Sequence, residues 1–461
     1  MVQITNECKF TNRYIAIFHS QIRNIFVIYT TVIFSSCKQP QINFADHVAP
    51  LIHKNCTSCH RTEEAGPFKL ISYNDVAKRG KLIEFVTATK FMPPWPADIT
   101  YSHFTGEKFL TEQEIQTIKD WVEQGMIAGD TSEIRTPAFS TATPLKPDLI
   151  LKMPQLLFLK GDNKDKFFLM KFPYELPHDT FIRAIEFVPG NKKLVHHMNG
   201  FMVQYDKDKK KDVFEGEWFT NAETADFKTA YEKMKIPNDD GSYPMLTPSV
   251  CNYLPGTEAT IYPYGIGGFN MKRKGFILFR DIHYGPSRID QYDSSYVKIY
   301  FAAKPPARRT LELQLGTLGV SKIVPPLIIP PNEIKTFHTQ YTLPADISVL
   351  TINPHMHLLG RFYHAYAITI SGDTIPLVKI NKWDFRWQYF YTFKKMLKIP
   401  AGSTIYVTGV YDNTKNNPLN PFDPPQQISE RENSMRTTDE MFQFIITYLP
   451  YKSGDEEISL D

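Results

Sequence analysis

Hydrophobic residues in the first third of the chain recur at helical spacing. After Asn43, a residue type that caps helices, one stripe consists of Phe44, Val48, Leu51 and Ile52. A second stripe follows the capping-box pair Thr111 and Glu114, stops before Gly125, and consists of Ile115, Ile118, Trp121 and Val122. The two stripes predict the first and last helices of a small all-α domain.

From Asp148 onward the pattern changes to short runs of branched and aromatic residues, with turn residues such as Pro189-Gly190-Asn191 between them. The runs that predict β-strands are 149–153, 167–172, 181–188, 276–283, 296–302, 310–315, 348–352, 362–370, 403–411 and 442–449. No stretch resembles a βαβ unit. This part of the chain is therefore predicted to form all-β sandwiches.

Length and charge agree with a multidomain protein that does not bind nucleic acid. At 461 residues the chain is long enough for about three domains, and its 34 prolines favour turn-rich β structure over long helices. The net charge of +3, from 52 basic and 49 acidic residues, is too small to indicate a nucleic-acid partner.

An apolar run near the N-terminus has the length of a signal-peptide core. Arg23 precedes residues 25–34, a run too short to cross a bilayer comfortably. Phe34-Ser35-Ser36-Cys37 then resembles a bacterial lipobox. Residues 1–36 are therefore expected to be a lipoprotein signal peptide and Cys37 the lipid anchor, with plain secretory cleavage as the alternative. The protein is expected to be exported, as a periplasmic or membrane-anchored lipoprotein of the bacterial cell envelope.

The five cysteines do not suggest a disulfide framework, but two of them predict a haem. Cys56-Thr57-Ser58-Cys59-His60 is the C-x-x-C-H sequence to which a c-type haem is attached, because two thiols at this spacing can bind both vinyl groups and the histidine can bind the iron. A covalent haem c is therefore expected on Cys56, Cys59 and His60, in a cytochrome c-like domain over residues 37–140.

The sixth ligand of that haem is expected to be a methionine. Phe91-Met92-Pro93-Pro94-Trp95 resembles the sixth-ligand loop of small cytochromes c, and a thioether in this position suits electron transfer. Met92 is therefore the predicted ligand, with His103 and Met126 as alternatives. Residues 131–147, rich in Ser, Thr, Ala and Pro, are predicted to be the linker that leaves this domain.

Two histidines one residue apart lie in a predicted strand. In Asn353-Pro354-His355-Met356-His357, residues i and i+2 point to one face, so His355 and His357 can bind one metal ion. Two half-buried histidines on a sheet face are the alternative. This pair alone does not decide between a metal site and two half-buried histidines.

Two adjacent histidines present the opposite geometry. His196 and His197 would point to opposite faces of a regular strand, so they can share a metal only at a bulge or a strand end. A core histidine beside an exposed one is the alternative. His283 stands at the end of another predicted strand.

Taken together, these positions resemble a family. The order and approximate spacing of His196-His197, His283, His355-x-His357 and Thr438-Asp439-Glu440-Met441 are similar to those of the copper type II, ascorbate-dependent monooxygenases. This is the class of the peptidylglycine α-hydroxylating and dopamine β-monooxygenases, and the resemblance covers about residues 145 to 461. It implies two jelly-roll-like sandwiches, expected at residues 145–328 and 329–461, with one copper ion on each.

The expected fold class is therefore multidomain: a small all-α cytochrome c domain followed by two all-β jelly-roll-like sandwiches. The resemblance implies an electron-transfer copper on His196, His197 and His283, and an oxygen-binding copper on His355, His357 and Met441. The donor types agree, because imidazole suits copper and a thioether favours Cu(I). Cys251, far from these histidines in sequence, is expected to be an inert core thiol.

The implied reaction is hydroxylation of a C–H bond of a small organic substrate with O2. The fused haem is expected to bring electrons from a periplasmic donor, with ascorbate or another external reductant as the other source. Two alternatives stay open: a non-enzymatic copper and haem electron-transfer or copper-carrying lipoprotein, and a cytochrome with metal-free sandwiches.

One departure from the family bears on the substrate. Asn353 stands where peptidylglycine hydroxylases have the arginine that binds the substrate carboxylate, and Gln443 and Ile445 replace a further asparagine and tyrosine. A charge-assisted anchor is missing, so a peptidylglycine is not expected as the substrate. Arg361 or Arg436 could replace that anchor from another direction, although each is more often a surface charge.

Overall fold

Helices and sheets follow one another in the order that the hydrophobic pattern predicts. The structure, a computed structural model, describes residues 41–132, 134, 145–222, 226–257, 259, 261–430 and 436–460. The predicted signal peptide, Cys37 and most of the predicted linker lie outside these ranges. Within these ranges, no helix is both long enough and apolar enough to cross a membrane.

Four α-helices precede the first strand in the described part of the chain. A π-helical turn, Phe44–Val48, leads into α1 (Ala49–Asn55), and α2 (Tyr73–Ala77), α3 (Gly80–Ala88) and α4 (Glu112–Glu123) follow. Both predicted helix starts are confirmed: Asn43 accepts a hydrogen bond from the Asp46 N–H at 2.8 Å, and Thr111 forms a capping box with Glu114.

Residues 149–301 form a first β-sandwich. Its strands are β1 (Leu149–Lys152), β2 (Leu157–Leu159), β3 (Lys166–Glu175), β4 (Thr180–Val188), β5 (Val195–Gln204), β6 (Phe219–Asn221), β7 (Met245–Tyr253), β8 (Phe269–Met271), β9 (Lys274–Tyr284), β10 (Gln291–Asp293) and β11 (Tyr296–Phe301), with α5 (Phe227–Lys233) between β6 and β7. The sheet β1-β11-β4-β8 packs against the sheet β6-β3-β9-β5-β7, and β10 pairs with β2.

Residues 311–450 form a second β-sandwich. Its strands are β12 (Leu311–Gly316), β13 (Ile328–Ile329), β14 (Ile334–Thr342), β15 (Ile347–Met356), β16 (Gly360–Ile368), β17 (Thr374–Ile380), β18 (Tyr391–Ile399), β19 (Thr404–Asp412), β20 (Ile428–Ser429) and β21 (Phe442–Pro450), and a 3-10 turn, Asp455–Glu457, follows. The sheets are β12-β21-β15-β18 and β14-β19-β16-β17, with β13 paired to β20. Because β12 pairs with β21, the boundary expected at residue 328 divides the strands of one sheet.

Strand β15 joins the two sandwiches. All ten of its residues are buried. Val349 and Ile352 belong to the core of the second sandwich, whereas Leu350 packs with Met396 and Leu449 into the core of the first. A strand with hydrophobic layers on both faces is held from both sides, and β15 is the strand that carries His355.

The loop that follows α3 also packs on the second sandwich. Ala97 forms an isolated β-bridge with Ile380, and Phe104 forms one with Phe393. Phe104 is fully buried, with its ring centroid 4.8 Å from that of Tyr391. The helical region is therefore packed directly against the second sandwich.

Candidate functional site

The adjacent histidines of β5 lie at a β-bulge. In the ladder with β9, Val195 pairs with Tyr284 and the next pair is His197 with His283, so His196 is the extra residue. A bulge is one of the two places at which adjacent histidines can share a metal ion. Bulges re-aim side chains, and the ring centroids of His196 and His197 lie 4.9 Å and 5.0 Å from that of His283.

A carboxylate that the sequence did not single out joins this cluster. Asp165 Oδ1 accepts a hydrogen bond from His283 Nε2 at 2.7 Å, and the ligand atoms of Asp165, His196 and His283 lie within 4.8 Å of one another. The hydrogen bond lowers the pKa of Asp165, whereas burial and the neighbouring imidazoles lower the pKa of His196 to about 4. At neutral pH the cluster therefore offers a carboxylate and neutral imidazole, the protonation states that bind a metal cation.

Gly285 makes room for His196 beside this carboxylate. A Cβ atom at residue 285 would lie 2.4 Å from Nε2 and 2.5 Å from Cε1 of the His196 ring. The imidazole therefore sits directly against the backbone that follows His283. Any side chain at Gly285 would displace it from the cluster.

His355 and His357 lie together at the end of β15. Their ring centroids are 5.0 Å apart and the rings are perpendicular. His355 Nδ1 donates to the side-chain oxygen of Gln388, and His357 Nδ1 donates to the backbone carbonyl of Asp439 at 2.8 Å. These hydrogen bonds fix the tautomer of each ring, so Nε2 is the nitrogen that can bind a metal.

Met441 lies beside His357 through the register of β15 with β21. The last pair of this ladder is Met356 with Phe442, so His357 and Met441 are the residues next to that pair in the two chain segments. The buried Glu440 carboxyl group accepts the backbone N–H of His357 at 2.9 Å and that of Met441 at 3.2 Å. Burial raises the pKa of Glu440 to about 8, although these hydrogen bonds oppose the rise. One carboxyl group thus connects both segments of the second cluster.

The ring of Phe385 packs against an imidazole of each cluster. Its centroid is 5.7 Å from that of His197 and also 5.7 Å from that of His357. The two imidazole centroids are therefore no further apart than twice this distance. Phe385 is only 5% exposed, so this contact with both clusters is buried.

A cavity of about 400 Å³ brings together the residues predicted to hold the haem. It is lined by Cys56, Cys59, His60 and Met92. His103 and Met126 are not among the described residues that line it, and the His103 side chain is 63% exposed beside Glu107. Of the three candidate sixth ligands, Met92 is the one that shares a cavity with the C-x-x-C-H motif.

One ring nitrogen of His60 is already engaged in a hydrogen bond. Its Nδ1 donates to the Phe68 carbonyl oxygen at 3.1 Å, and a Cβ atom at Gly66 would lie 2.8 Å from the same nitrogen. Nε2 is therefore the nitrogen that can bind a metal. Burial, with a contribution from Cys59, raises the pKa of the Cys56 thiol to about 12, so Cys56 is a neutral thiol at neutral pH.

The remaining sequence candidates are placed away from the two clusters or are engaged elsewhere. Asn353 Nδ2 donates to the Tyr389 carbonyl oxygen at 2.9 Å, so this amide is used to hold the backbone. Arg361 is 57% exposed beside Asp412, as a surface charge would be. Cys251 is buried in the core of the first sandwich, and burial raises the pKa of its thiol, which confirms the prediction of an inert core cysteine.

Four side chains at the two clusters were missed by sequence reasoning: Asp165, Phe385, Gln388 and Glu440. Glu440 had a local signal, because it directly precedes the candidate ligand Met441. The others come from loops that strand pairing brings to the histidines. Their positions follow only from the tertiary fold.

Comparisons with known proteins bear on the second cluster. Residues 320–422 match the family model described as copper type II ascorbate-dependent monooxygenase, C-terminal domain. This segment contains His355 and His357, whereas the first cluster and Met441 lie outside it. The comparison with curated proteins gave no match.

One solved structure from the comparison is titled "Structure of infectious bursal disease virus Gt strain". It is 12% identical to this chain, covers 70% of this chain and 77% of that chain, and has a TM-score of 0.15. A likeness at this level supports no conclusion about fold or function.

Proposed function

We propose that the chain is a copper-dependent monooxygenase that hydroxylates a C–H bond of a small organic substrate with O2. The observation that carries the proposal is the pair of imidazole clusters, one on each sandwich, that both contact Phe385. The match of residues 320–422 to a copper monooxygenase domain supports copper as the metal. The balanced reaction converts R–H, one O2, two electrons and two protons to R–OH and water.

The donor atoms suit copper at both clusters. We assign one ion to His196, His197 and His283, with the Asp165 carboxylate beside them, and the other to His355, His357 and Met441. Neutral imidazole is a good copper ligand, and a thioether sulfur stabilises Cu(I). When bound, copper supplies one-electron redox chemistry and the activation of O2.

The surrounding side chains prepare the second cluster for this role. Gln388 and the Asp439 carbonyl hold the two imidazoles, and the Glu440 carboxyl group holds the backbone of His357 and Met441. Ligands held by hydrogen-bonded neighbours keep their geometry when the oxidation state of the metal changes. Phe385 packs an apolar, nearly buried ring against one imidazole of each cluster.

We further propose that the cavity holds a covalent haem c that supplies the electrons. Cys56 and Cys59 would form its thioether bonds, and His60 and Met92 would be its axial ligands. The support is the shared cavity and the fixed orientation of the His60 ring. We place the protein in the bacterial cell envelope, anchored through Cys37 and reduced by a periplasmic donor.

The substrate we propose is uncharged. The arginine that binds a carboxylate in peptidylglycine hydroxylases is replaced by Asn353, whose amide is bonded to the Tyr389 carbonyl. Nearby side chains are aromatic: Trp383 donates to the His357 carbonyl at 3.2 Å, and Phe385 contacts the His357 ring. An apolar wall of this kind favours a substrate without a carboxylate.

Replacement of the thioether tests the assignment. Met441→Ala should abolish substrate hydroxylation while leaving the haem absorption spectrum unchanged, because it removes a ligand of the second cluster only. The measurement is mass spectrometry of the product formed from ¹⁸O2, over a panel of uncharged organic substrates. Met356→Leu is the matched control, since Met356 is buried in the core on the opposite face of β15.

Three outcomes would contradict the proposal. Full hydroxylation by Met441→Ala would refute the ligand assignment. Two bound copper ions per chain without substrate-dependent O2 uptake would instead identify a non-enzymatic copper and haem electron-transfer protein. Failure to bind copper at all would leave a cytochrome with metal-free sandwiches.

A further inference from the structure

His196 belongs to two sites at once. It is a member of the first histidine cluster, and it also lines the cavity that contains Cys56, Cys59 and His60. Neither His355 nor His357 lines that cavity. Among the described imidazoles of the two clusters, His196 is the one that forms a wall of the cavity.

The segment that carries His196 is attached to the C-x-x-C-H motif by an ion pair. Lys192 Nζ lies 2.8 Å from a carboxylate oxygen of Glu64, which also accepts from Arg61 at 3.1 Å. The side chains of Lys192 and Glu64 are 30% and 14% exposed. A partly buried pair is screened less than a surface pair, so it holds the start of β5 beside the loop that follows His60.

A second contact fixes the same face. Lys108 Nζ donates to the Gly256 carbonyl oxygen at 2.5 Å, and a Cβ atom at Gly256 would lie 2.5 Å from the Cys59 sulfur. The first sandwich therefore touches the motif directly. Gly256 has a φ of +76°, where a side chain is disfavoured, so close approach and backbone conformation both require glycine.

The imidazoles of the second cluster are separated from the cavity by a supporting residue. Trp387 and Tyr389 line the cavity, while Gln388 between them bonds to His355. The second cluster therefore meets the cavity through a supporting residue, whereas the first meets it through one of its own imidazoles. This asymmetry selects the first cluster as the direct neighbour of whatever occupies the cavity.

We propose that His196 is a shared residue, which binds the metal of the first cluster and contacts the haem with the same imidazole ring. The inference rests on the proposed function, because it requires a haem in the cavity and a metal in the cluster. A cation bound at His196 then lies in a poorly screened environment beside the haem. It favours the haem oxidation state with one more electron, so metal binding raises the haem midpoint potential.

The test uses the full haem-loaded chain without copper. Zn²⁺, which is redox-silent, is added while the haem midpoint potential and Soret maximum are recorded by spectroelectrochemistry. We expect an upward shift of the potential that saturates with Zn²⁺. His196→Ala should remove the shift, and His355→Ala, which removes a ligand of the second cluster, should retain it.

A milder variant guards against misfolding of His196→Ala. Lys192→Met leaves all imidazoles in place but removes the ion pair to Glu64, and it should reduce the shift while Zn²⁺ still binds. An equal shift in the wild type and His196→Ala would overturn the inference, as would loss of the shift in His355→Ala alone. A haem spectrum with two histidine ligands that becomes histidine–methionine in His196→Ala would also overturn it, since the ring would then be an iron ligand.

The inference and the proposed function fail in different ways. Two copper ions per chain and substrate-dependent O2 uptake, with no Zn²⁺-dependent shift, would overturn only the role of His196. If neither Zn²⁺ nor copper binds to the first cluster, both are wrong. The midpoint potential is measured without O2 or substrate, so the readout does not depend on turnover.

Discussion

Two buried carboxyl groups of the second sandwich have contrasting surroundings. Glu440 accepts the backbone N–H groups of His357, Leu359 and Met441, whereas both oxygens of Glu312 are buried without a hydrogen-bond partner among the described residues. Burial raises the pKa of each to about 8. The three hydrogen bonds compensate the burial of the Glu440 carboxyl group and hold the segments that carry the candidate ligands. No such hydrogen bond compensates the burial of the Glu312 carboxyl group in the described structure.

Glu312 should make the stability of the sandwich pH-dependent. Its folded-state pKa of about 8 lies above the ordinary 4.5, so folding takes up a proton between these values and stability falls as pH rises through this window. Glu312→Gln should be indistinguishable from the wild type below pH 4.5 and more stable by about 2–4 kcal/mol near pH 7. Urea unfolding at several pH values measures the difference.

A surface carboxyl group provides the control for this series. Glu123, 55% exposed on α4, is not buried in a core. Glu123→Gln should show no stabilisation that grows with pH. A Glu312→Gln curve parallel to that of the wild type at every pH would show that the carboxyl group is ionised or solvated in the folded protein.

At the scale of one residue, the sequence identified the candidate metal ligands but not the side chains that hold those ligands by hydrogen bonds. The imidazoles and the methionine were found because their types and order are unusual. Gln388 and Asp165 were not found, because they acquire their roles only when a loop from another part of the chain approaches a histidine. Long-range hydrogen bonds of this kind, across 33 and 118 residues, leave no local pattern.

At the scale of an element, the loop between β17 and β18 connects all three candidate centres. Phe385 contacts an imidazole of each cluster, Gln388 bonds to His355, and Trp387 and Tyr389 line the cavity. A loop without regular secondary structure is thus held by its side chains. Its conformation depends on two sandwiches and on the helical region together.

Removal of the Phe385 ring should weaken the packing that connects the two clusters. Phe385→Ala removes a nearly buried aromatic side chain and should cost about 3–5 kcal/mol of stability. With copper bound at both clusters, dipolar broadening of the Cu(II) electron paramagnetic resonance signal should decrease or become heterogeneous. Phe385→Leu keeps most of the apolar volume and should retain the wild-type spectrum.

Unchanged broadening in Phe385→Ala would show that β15 and β5 alone fix the distance between the clusters. Strand β15 is packed on both faces, so this result would show that the strand, and not the loop, maintains the distance between the clusters. The stability measurement separates the two cases, because the cavity penalty does not depend on copper.

Several strands that the hydrophobic pattern did not predict are edge strands, although the central strand β5 was also missed and the edge strands β1 and β12 were predicted. β7, β14, β17 and β18 each lie at the edge of their sheet. Edge strands carry more polar residues, and β18 has the adjacent lysines Lys394 and Lys395, a common protection against edge-to-edge association. The strands at sheet centres, such as β15 and β21, have strong patterns because burial on both sides demands apolar residues.

At the scale of the whole molecule, the loop between α3 and α4 enters the core of the second sandwich, whereas the helices pack around a core of their own. Phe104 belongs to the loop before α4, yet its ring packs against Tyr391 and Phe393 of β18 at 4.8 Å and 5.1 Å. The sequence predicted a linker and separate domains. It could not predict this contact, because aromatic residues in a loop carry no information about which core they enter.

Phe104→Ala should therefore destabilise the second sandwich, although residue 104 lies in the helical region of the chain. Loss of a fully buried phenylalanine should cost about 3–5 kcal/mol. Amide hydrogen exchange of β18 should become faster in the variant, as measured by mass spectrometry. Phe85→Ala, which removes a ring that is 64% exposed on α3, should leave β18 exchange unchanged. Faster exchange confined to α3 and α4 would contradict a structural role of Phe104 in the core of the second sandwich.

The bulge at His196 links the number of residues in β5 to the membership of the first histidine cluster. Val195 and His197 face consecutive residues of β9, so His196 is one residue extra on β5, and Arg280 is one residue extra on β9 between the pairs Asn199–Asp281 and Gly200–Phe279. Deleting one residue at the bulge would leave the irregularity at Arg280 without its counterpart. It would also remove the bulge at which two neighbours in sequence face His283 together. The number of residues in β5 at this point therefore decides whether both imidazoles belong to the cluster.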